Sequence, residues 1–373
     1  MRILAVTPYY TPEGGGLEQY AHAILGRLAA RGHEVDTLSF TRLGLADTHR
    51  DGVRVIRRLA TACLGNSPLH PRFLSHVRTH IRETRPDLVV GHTPVPFPAE
   101  MGYMAARREH IPFVATYHAG TMRGSTRFLG TLAALHRATF ERRMIAGSDH
   151  LIAVGPYVRD HALARERERV TIVPPGVDAD FFHSTSGPEG PGILFVAPLA
   201  RSYAWKGADV LWRAFAKVRD VLPNATLTLV GGGDRLDEFR SLAAPFGRAV
   251  RVLGRITETE LREEYRRAAV VALPSTTDAE SFGMVLAEAN ACRRPVVGSD
   301  IGGIPDFVRD GHNGLLARPG DATDLAAKLV DVLSDESRAR DLGARGRQRV
   351  VRLHDWNDLA GQTEFAFERV LNR

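Results

Sequence analysis

Short β-branched runs alternate with longer segments of helical period along this chain. The alternation is interrupted once, by a polar stretch rich in glycine and proline. Such a pattern commits a chain to βαβ units, because a parallel strand pair needs a crossover and the crossover is normally a helix. In the first half the runs are 3–7, 34–40, 87–90, 112–116, 151–154 and 170–173. Between the first two, Leu17, Ala21, Ile24, Leu25 and Leu28 mark one face of a helix, which Gly32 ends. After the interruption at 183–192 the runs resume at 193–197, 226–230, 250–253, 270–273, 295–298 and 314–316. Helical segments at 208–221, 257–268, 283–292 and 322–333 separate them, and 356–371 reads as a last amphipathic helix. The expectation is an α/β chain of two Rossmann-like, doubly wound domains, 1–182 and 193–355, joined by a linker at 183–192. Sheets of this kind bind ligands at the carboxyl ends of their strands, so two facing domains would define an interdomain cleft.

Composition agrees. A chain of 373 residues exceeds what one core usually holds, and 44% apolar with 25% charged residues is ordinary for a globular protein. No run approaches the ~18 apolar residues of a membrane span. The opening ten residues are too soon interrupted for a signal peptide. Cys63 and Cys292 read as reduced thiols, which places the chain in the cytoplasm. The net charge of +6 gathers in the arginine-rich segment 72–143. That field suits an anionic partner such as a membrane surface, or else is a solvated face.

The strongest constellation follows the run 270–273. It reads Pro274-Ser-Thr-Thr-Asp-Ala-Glu280-Ser-Phe-Gly-Met-Val-Leu-Ala-Glu288. A strand, a loop and a helix start in that order leave the amides of Phe282, Gly283 and Met284 at a helix N-terminus, where an anion such as a diphosphate fits. Glu288, about one turn further on, can hold the hydroxyls of a ribose. Glu280, at the mouth, can meet sugar hydroxyls or the charge developing at an anomeric carbon. A second element, Arg201-Ser-Tyr-Ala-Trp-Lys206-Gly207, lies between a strand and a helix; Arg201 and Lys206 would neutralise a leaving diphosphate. Near the start, the amides of Gly15 and Gly16 can approach a phosphate, although Gln19 breaks the dinucleotide fingerprint. His118, at a strand end, can hydrogen-bond a sugar hydroxyl or assist proton transfer. Asp178-Ala-Asp180 has the form of a metal-binding pair but sits in a turn far from these elements, so no metal is assigned.

Together these residues resemble the retaining GT-B glycosyltransferases of glycosyltransferase family 4. The resemblance is carried by Gly15-Gly-Leu-Glu18, Arg31-Gly-His-Glu-Val35, Val173-Pro-Pro-Gly-Val-Asp178, the element of Arg201 with Lys206-Gly207, the pair Glu280 and Glu288, Gly302-Gly-Ile-Pro-Asp306 and Asp310-Gly-His-Asn-Gly-Leu-Leu316. It implies a GT-B fold whose final helix, 356–373, returns to the N-terminal domain. It implies catalytic roles for His118, Glu280, Arg201 and Lys206. It implies substrate contacts from Gly15, Gly16, Ser281, Phe282, Gly283, Met284, Val285, Glu288, Arg255 and Ile256. No cofactor and no metal are expected. The reaction expected is transfer of a hexosyl unit, with retention, from GDP-mannose or a UDP-sugar to a hydroxyl of a glycan, lipid or small molecule. The acceptor is expected on the N-terminal domain. The apolar stretch 128–135, flanked by Arg123, Arg127 and Arg137, adds the expectation of a peripheral site on the inner membrane face. An epimerase or a phosphorylase of the same fold is the alternative enzyme. A nucleic-acid-binding module is disfavoured because no base-stacking aromatic array is present.

Overall fold

The computed structural model describes residues 1–64, 67–119, 131, 134–184 and 186–372. The chain divides into two compact units, Met1–Pro175 with Trp356–Arg373, and Gly176–Asp355.

The first unit holds an eight-stranded sheet. Its strands are β1 (Arg2–Val6), β2 (Glu34–Thr41), β3 (Thr48–Arg50), β4 (Val53–Leu59), β7 (Leu88–Thr93), β8 (Phe113–Tyr117), β9 (His150–Ala153) and β10 (Val170–Ile172), while β5 (Ala62–Leu64) and β6 (Ser67–Leu69) form a separate hairpin. The order β10-β9-β8-β7-β1-β2-β4-β3 is parallel except for the edge strand β3. Helices α1 (Gly16–Ala30), α2 (Phe73–Thr84), α3 (Pro98–Arg108) and α4 (Arg142–Gly147) connect them. The strand β4 is absent from the sequence expectation because arginines interrupt its apolar period. Val53 and Val55 are nevertheless fully buried, and Arg57 is buried with its guanidinium on the carbonyls of Ala46 and Thr11.

The second unit holds β11 (Gly192–Val196), β12 (Thr226–Val230), β13 (Val250–Gly254), β14 (Val270–Leu273), β15 (Val296–Ser299) and β16 (Leu315–Ala317). All pair in parallel, in the order β13-β12-β11-β14-β15-β16. This is the doubly wound order, and its direction reverses between β11 and β14. The helices are α5 (Ala208–Val221), α6 (Leu236–Ala243), α7 (Glu258–Arg267), α8 (Met284–Ala291), α9 (Ile304–Phe307), α10 (Ala322–Ser334) and α11 (Glu336–Leu353). Helix α7 starts on a capping box, Thr257 and Glu260 each receiving the other's amide. The last helix, α12 (Trp356–Leu371), packs within the first unit, where Trp356 meets Tyr20 edge-on at 5.7 Å and Glu364 pairs with Arg31 and His33.

The chain passes between units at Pro175 and Gly176, so the stretch 183–192 belongs to the second unit and is not a free linker. The reason is a buried guanidinium. One terminal nitrogen of Arg294 donates to Ser184 Oγ at 3.0 Å, to the Ser186 carbonyl at 2.6 Å and to the Arg266 carbonyl at 2.8 Å. Arg347 likewise gathers the carbonyls of Ala179, Phe182 and Ala291. Composition reads the stretch as a linker because glycine and proline report on backbone preference, not on who satisfies the carbonyls. The stretch 128–135, expected as a membrane-surface helix, falls largely outside the described residues.

Candidate active site

The site is built where the order of the second sheet reverses. Two loops leave that edge, one after β11 and one after β14. Between them, Gly207 adopts φ +84°, and a Cβ there would lie 1.9 Å from the Pro274 carbonyl oxygen. Only glycine lets the two backbones approach so closely. The contact is laced by the Trp205 carbonyl, which accepts the Thr276 amide at 2.7 Å and the Thr276 hydroxyl at 3.2 Å. Lys206, at the end of this turn, thereby places Nζ 2.6 Å from Glu280 Oε2 and 4.5 Å from the centre of the Trp205 ring. Ser275, fully buried, donates to the same oxygen at 3.1 Å. Glu280 is buried too, and among the described residues its Oε1 has no hydrogen-bond partner.

The loop that carries Glu280 rests on another backbone. Gly303 donates its amide to the Glu280 carbonyl at 2.8 Å, and a Cβ on Gly303 would lie 1.8 Å from the Ser281 carbonyl oxygen. This gives the Gly302-Gly-Ile-Pro-Asp306 motif its physical role: a side-chain-free floor under the glutamate loop. Phe282 anchors the next step, buried against Phe307 and His354 at 5.4 and 5.2 Å between ring centres. Gly283, at φ +82°, then starts α8, which no side chain caps. Among the described residues the amides of Phe282, Gly283 and Met284 meet no acceptor. Ser281, Met284 and Val285 line this start and are half-buried.

Glu288 lies further along α8, partly buried. Its Oε2 accepts the Tyr265 hydroxyl at 2.6 Å. Burial pushes its pKa up to about 7; the tyrosine hydrogen bond opposes that rise and Glu258 adds to it. Arg201 departs from the sequence expectation. It is largely exposed and turned to Asp234, with its amide 2.9 Å and its guanidinium 3.4 Å from that carboxylate. Asp234 follows the glycines 231–233, whose middle carbonyl accepts the Leu199 amide. Arg255 and Ile256 follow β13 at the same edge, the first exposed and the second half-buried.

In the first unit the expected residues also sit at strand ends. His118 follows β8, and its Nε2 lies 2.9 Å from Nδ1 of His92 on β7. The rings stack at 5.1 Å, with Tyr20 edge-on to His118 at 4.8 Å. Burial holds both imidazoles neutral, His118 well below the ordinary histidine value and His92 down to about 3. One ring therefore donates to the other, and His118 is suited to hydrogen bonding rather than to proton delivery near neutral pH. Gly15 donates its amide to Glu18 Oε2 at 2.7 Å, which removes that amide from any phosphate; Gly16 opens α1. Asp178 Oδ1 accepts the amides of Asp180 and Phe181, an ordinary Asx turn.

Sequence reading missed Ser275, Thr276, Tyr265, His92 and Asp234. None lies in a spacing pattern; each acts through a neighbour that only the fold supplies.

Residues 14–181 match the sequence model of Glycosyltransferase Family 4, and residues 178–349 match that of Glycosyl transferases group 1. The chain is a family 4 glycosyltransferase. Glycogen synthase of Mycobacterium tuberculosis is 29% identical over 97% of this transferase and 93% of its own length. The GDP-mannose-dependent alpha-(1-6)-phosphatidylinositol monomannoside mannosyltransferase of Mycolicibacterium smegmatis is 28% identical over 95% of both chains. Among solved structures, sucrose-phosphate synthase of Thermosynechococcus elongatus aligns at TM-score 0.81 and 23% identity, over 100% of the transferase and 99% of that chain. Anabaena HepE in complex with UDP aligns at 0.77 and 20%, over 99% and 100%. The transferase therefore has the GT-B fold.

The raised Glu288 pKa makes a stability prediction. The unfolded carboxyl titrates near 4.5 and the folded one near 7. Folding thus favours the protonated form: the group costs nothing below about 4.5, and its full cost stands above 7. Glu288→Gln should melt above the wild type at pH 8, with the gap closing towards pH 5. A gap independent of pH, or one that widens on acidification, contradicts the assignment.

Proposed function

We propose that this transferase moves a hexosyl unit from a nucleoside-diphosphate sugar, GDP-mannose or a UDP-sugar, to a hydroxyl acceptor, with retention of configuration and without a metal ion. One observation carries the reading: the Lys206 ammonium and the uncapped start of α8 flank the buried Glu280. When the anomeric carbon parts from the β-phosphate oxygen, negative charge grows on that phosphate. An ammonium and two or three fixed amides aimed at it stabilise the transition state without reorganising. They supply the neutralisation for which other transferases recruit a divalent cation. The acceptor oxygen forms its bond to the anomeric carbon on the face the phosphate leaves, and its proton passes to the departing phosphate. No nucleophilic side chain is then required. Glu280, through Oε1, is assigned to the donor sugar hydroxyls, and Glu288 to the ribose.

Arg201 can still join the diphosphate. Its partner Asp234 is exposed, and solvent screens an exposed pair, so redirecting the side chain costs little. Arg255 and Ile256 are assigned to the nucleotide, Gly16 to the phosphate and His118 to a sugar hydroxyl. The Mycolicibacterium relative's name includes a phosphatidylinositol acceptor. Together with the arginine-rich 72–143 segment, this supports a lipid-linked or cell-envelope glycan acceptor at an anionic inner membrane face. Leu135 and Phe140 are 61% and 56% exposed, close in sequence to the exposed Arg142 and Arg143.

Lys206→Ala and Glu280→Ala should each lower kcat by about 10²–10³-fold, the usual effect of removing one charge-stabilising group. Nuclear magnetic resonance of the product should show the donor's anomeric configuration. Full turnover in Glu280→Ala with normal donor binding sinks the catalytic assignment; an epimerised nucleotide sugar or a sugar phosphate as product sinks the reaction. For the membrane, the protein should float with anionic vesicles at moderate salt and stay behind with neutral ones. Absence of flotation with anionic vesicles removes that part of the proposal.

A further inference from the structure

We infer that Tyr265 is a positioning residue for nucleotide recognition: its hydroxyl fixes Glu288 so that the carboxylate presents Oε1 to the ribose. The inference rests on the reading of Glu288 as the ribose-binding carboxylate.

Tyr265 is fully buried on α7, the helix before β14, while Glu288 stands on α8, the helix after it. The tyrosine ring is held from the side by Phe182, edge-on at 5.8 Å. Its helix is fixed at the same turn by Glu264, buried and paired with Arg251 through two hydrogen bonds of 3.0 and 2.9 Å. The packed ring fixes where its hydroxyl lies, and that hydroxyl has one partner among the described residues, Glu288 Oε2 at 2.6 Å. Burial drives the phenol pKa well above 10, so the hydroxyl keeps its proton and donates it to the charged carboxylate. The carboxylate is thus gripped at one oxygen.

The grip matters because a glutamate side chain loses substantial rotamer freedom when ordered. A carboxylate that binds a vicinal diol must hold one plane. Tyr265 prepays that ordering in the free protein, so the ribose meets a carboxylate already turned towards it. The donated hydrogen bond also opposes the rise in the Glu288 pKa, which keeps the charged, acceptor-only form available near neutrality. Besides Tyr265, Glu258 acts on Glu288 and its negative charge disfavours ionisation, while the buried Cys292 thiol, its pKa pushed up to about 12, stays neutral. The phenol is therefore the group that works the other way.

The test uses discrimination, which a merely structural residue would leave alone. The full-length protein is titrated with GDP and UDP, and with the 2′,3′-dideoxy form of whichever binds more tightly. Wild type should bind the ribo form at least about tenfold more tightly, as expected when hydrogen bonds to a charged group are lost. Tyr265→Phe should narrow that gap to within about threefold while leaving affinity for the dideoxy form unchanged. Glu288→Gln should narrow it similarly. If Glu288→Gln abolishes discrimination and Tyr265→Phe keeps it, the positioning role is overturned and the site reading stands. If the wild type does not discriminate at all, the reading of Glu288 fails and the inference falls with it. Should Tyr265→Phe lose its cooperative melt because a carboxylate is stranded, Tyr265→Phe/Glu288→Gln is compared with Glu288→Gln alone. Equal ribo affinity in the two supports action through Glu288, and weaker ribo binding by the double variant overturns it.

Discussion

Two strand-end loops can share a site only if their backbones are allowed to touch. In this transferase that permission comes from glycine. Gly207 meets the Pro274 carbonyl from one side, and Gly303 meets the Ser281 carbonyl from below. The contacts that tie the glutamate loop to its neighbours build on this three-layer backbone contact. The Trp205 carbonyl reaches Thr276, Lys206 reaches Glu280, and Ser275 closes on the same carboxylate oxygen. An alanine at either glycine would place carbon inside a carbonyl oxygen and separate the loops.

The arrangement carries a stability cost that its function explains. Burying a carboxylate is unfavourable unless it is paired, and removing one member of a buried pair is worse than never having had it. Glu280 meets the condition through Lys206 and Ser275. Glu288 meets it only in part, through a single phenol, and its raised pKa is the residue of that imbalance. A helix start with no side-chain cap adds to the cost. Two unmet demands at one sheet edge, a half-paired carboxylate and an uncapped helix start, are what a site awaiting an anionic, hydroxyl-rich ligand would be expected to show.

Much of this was legible in the sequence. Strand period located all six parallel strands of the second sheet, and helix limits came within a residue for α5 and α12. The loop after β14 was identifiable because strand, acidic loop, glycine and helix follow in an order with a physical meaning. What escaped depended on tertiary contact. Arginine in β4 hid a strand whose buried side holds Val53 and Val55 together with Arg57, its guanidinium satisfied by backbone carbonyls. A run of glycine and proline looked like a linker until Arg294 was seen to hold it. Helix α11 carries Gly343 and Gly346, which weaken its helical signal, yet both are there because α11 runs against Arg293 and Asn290. Arg201 looked equivalent to Lys206 by charge, but Asp234, thirty-odd positions away, competes for it. His118 was found by its strand-end position, while the neutrality that limits it comes from burial, with His92 on the neighbouring strand adding to it.

The central claim is that a diphosphate docks at the start of α8, between its free amides and Lys206. A crystal structure of the protein with GDP or UDP tests it most directly. The account predicts phosphate oxygens within hydrogen-bonding distance of the amides of Phe282, Gly283 or Met284 and of the Lys206 ammonium. A diphosphate bound elsewhere, with those amides solvated and Lys206 still closed on Glu280, would contradict it.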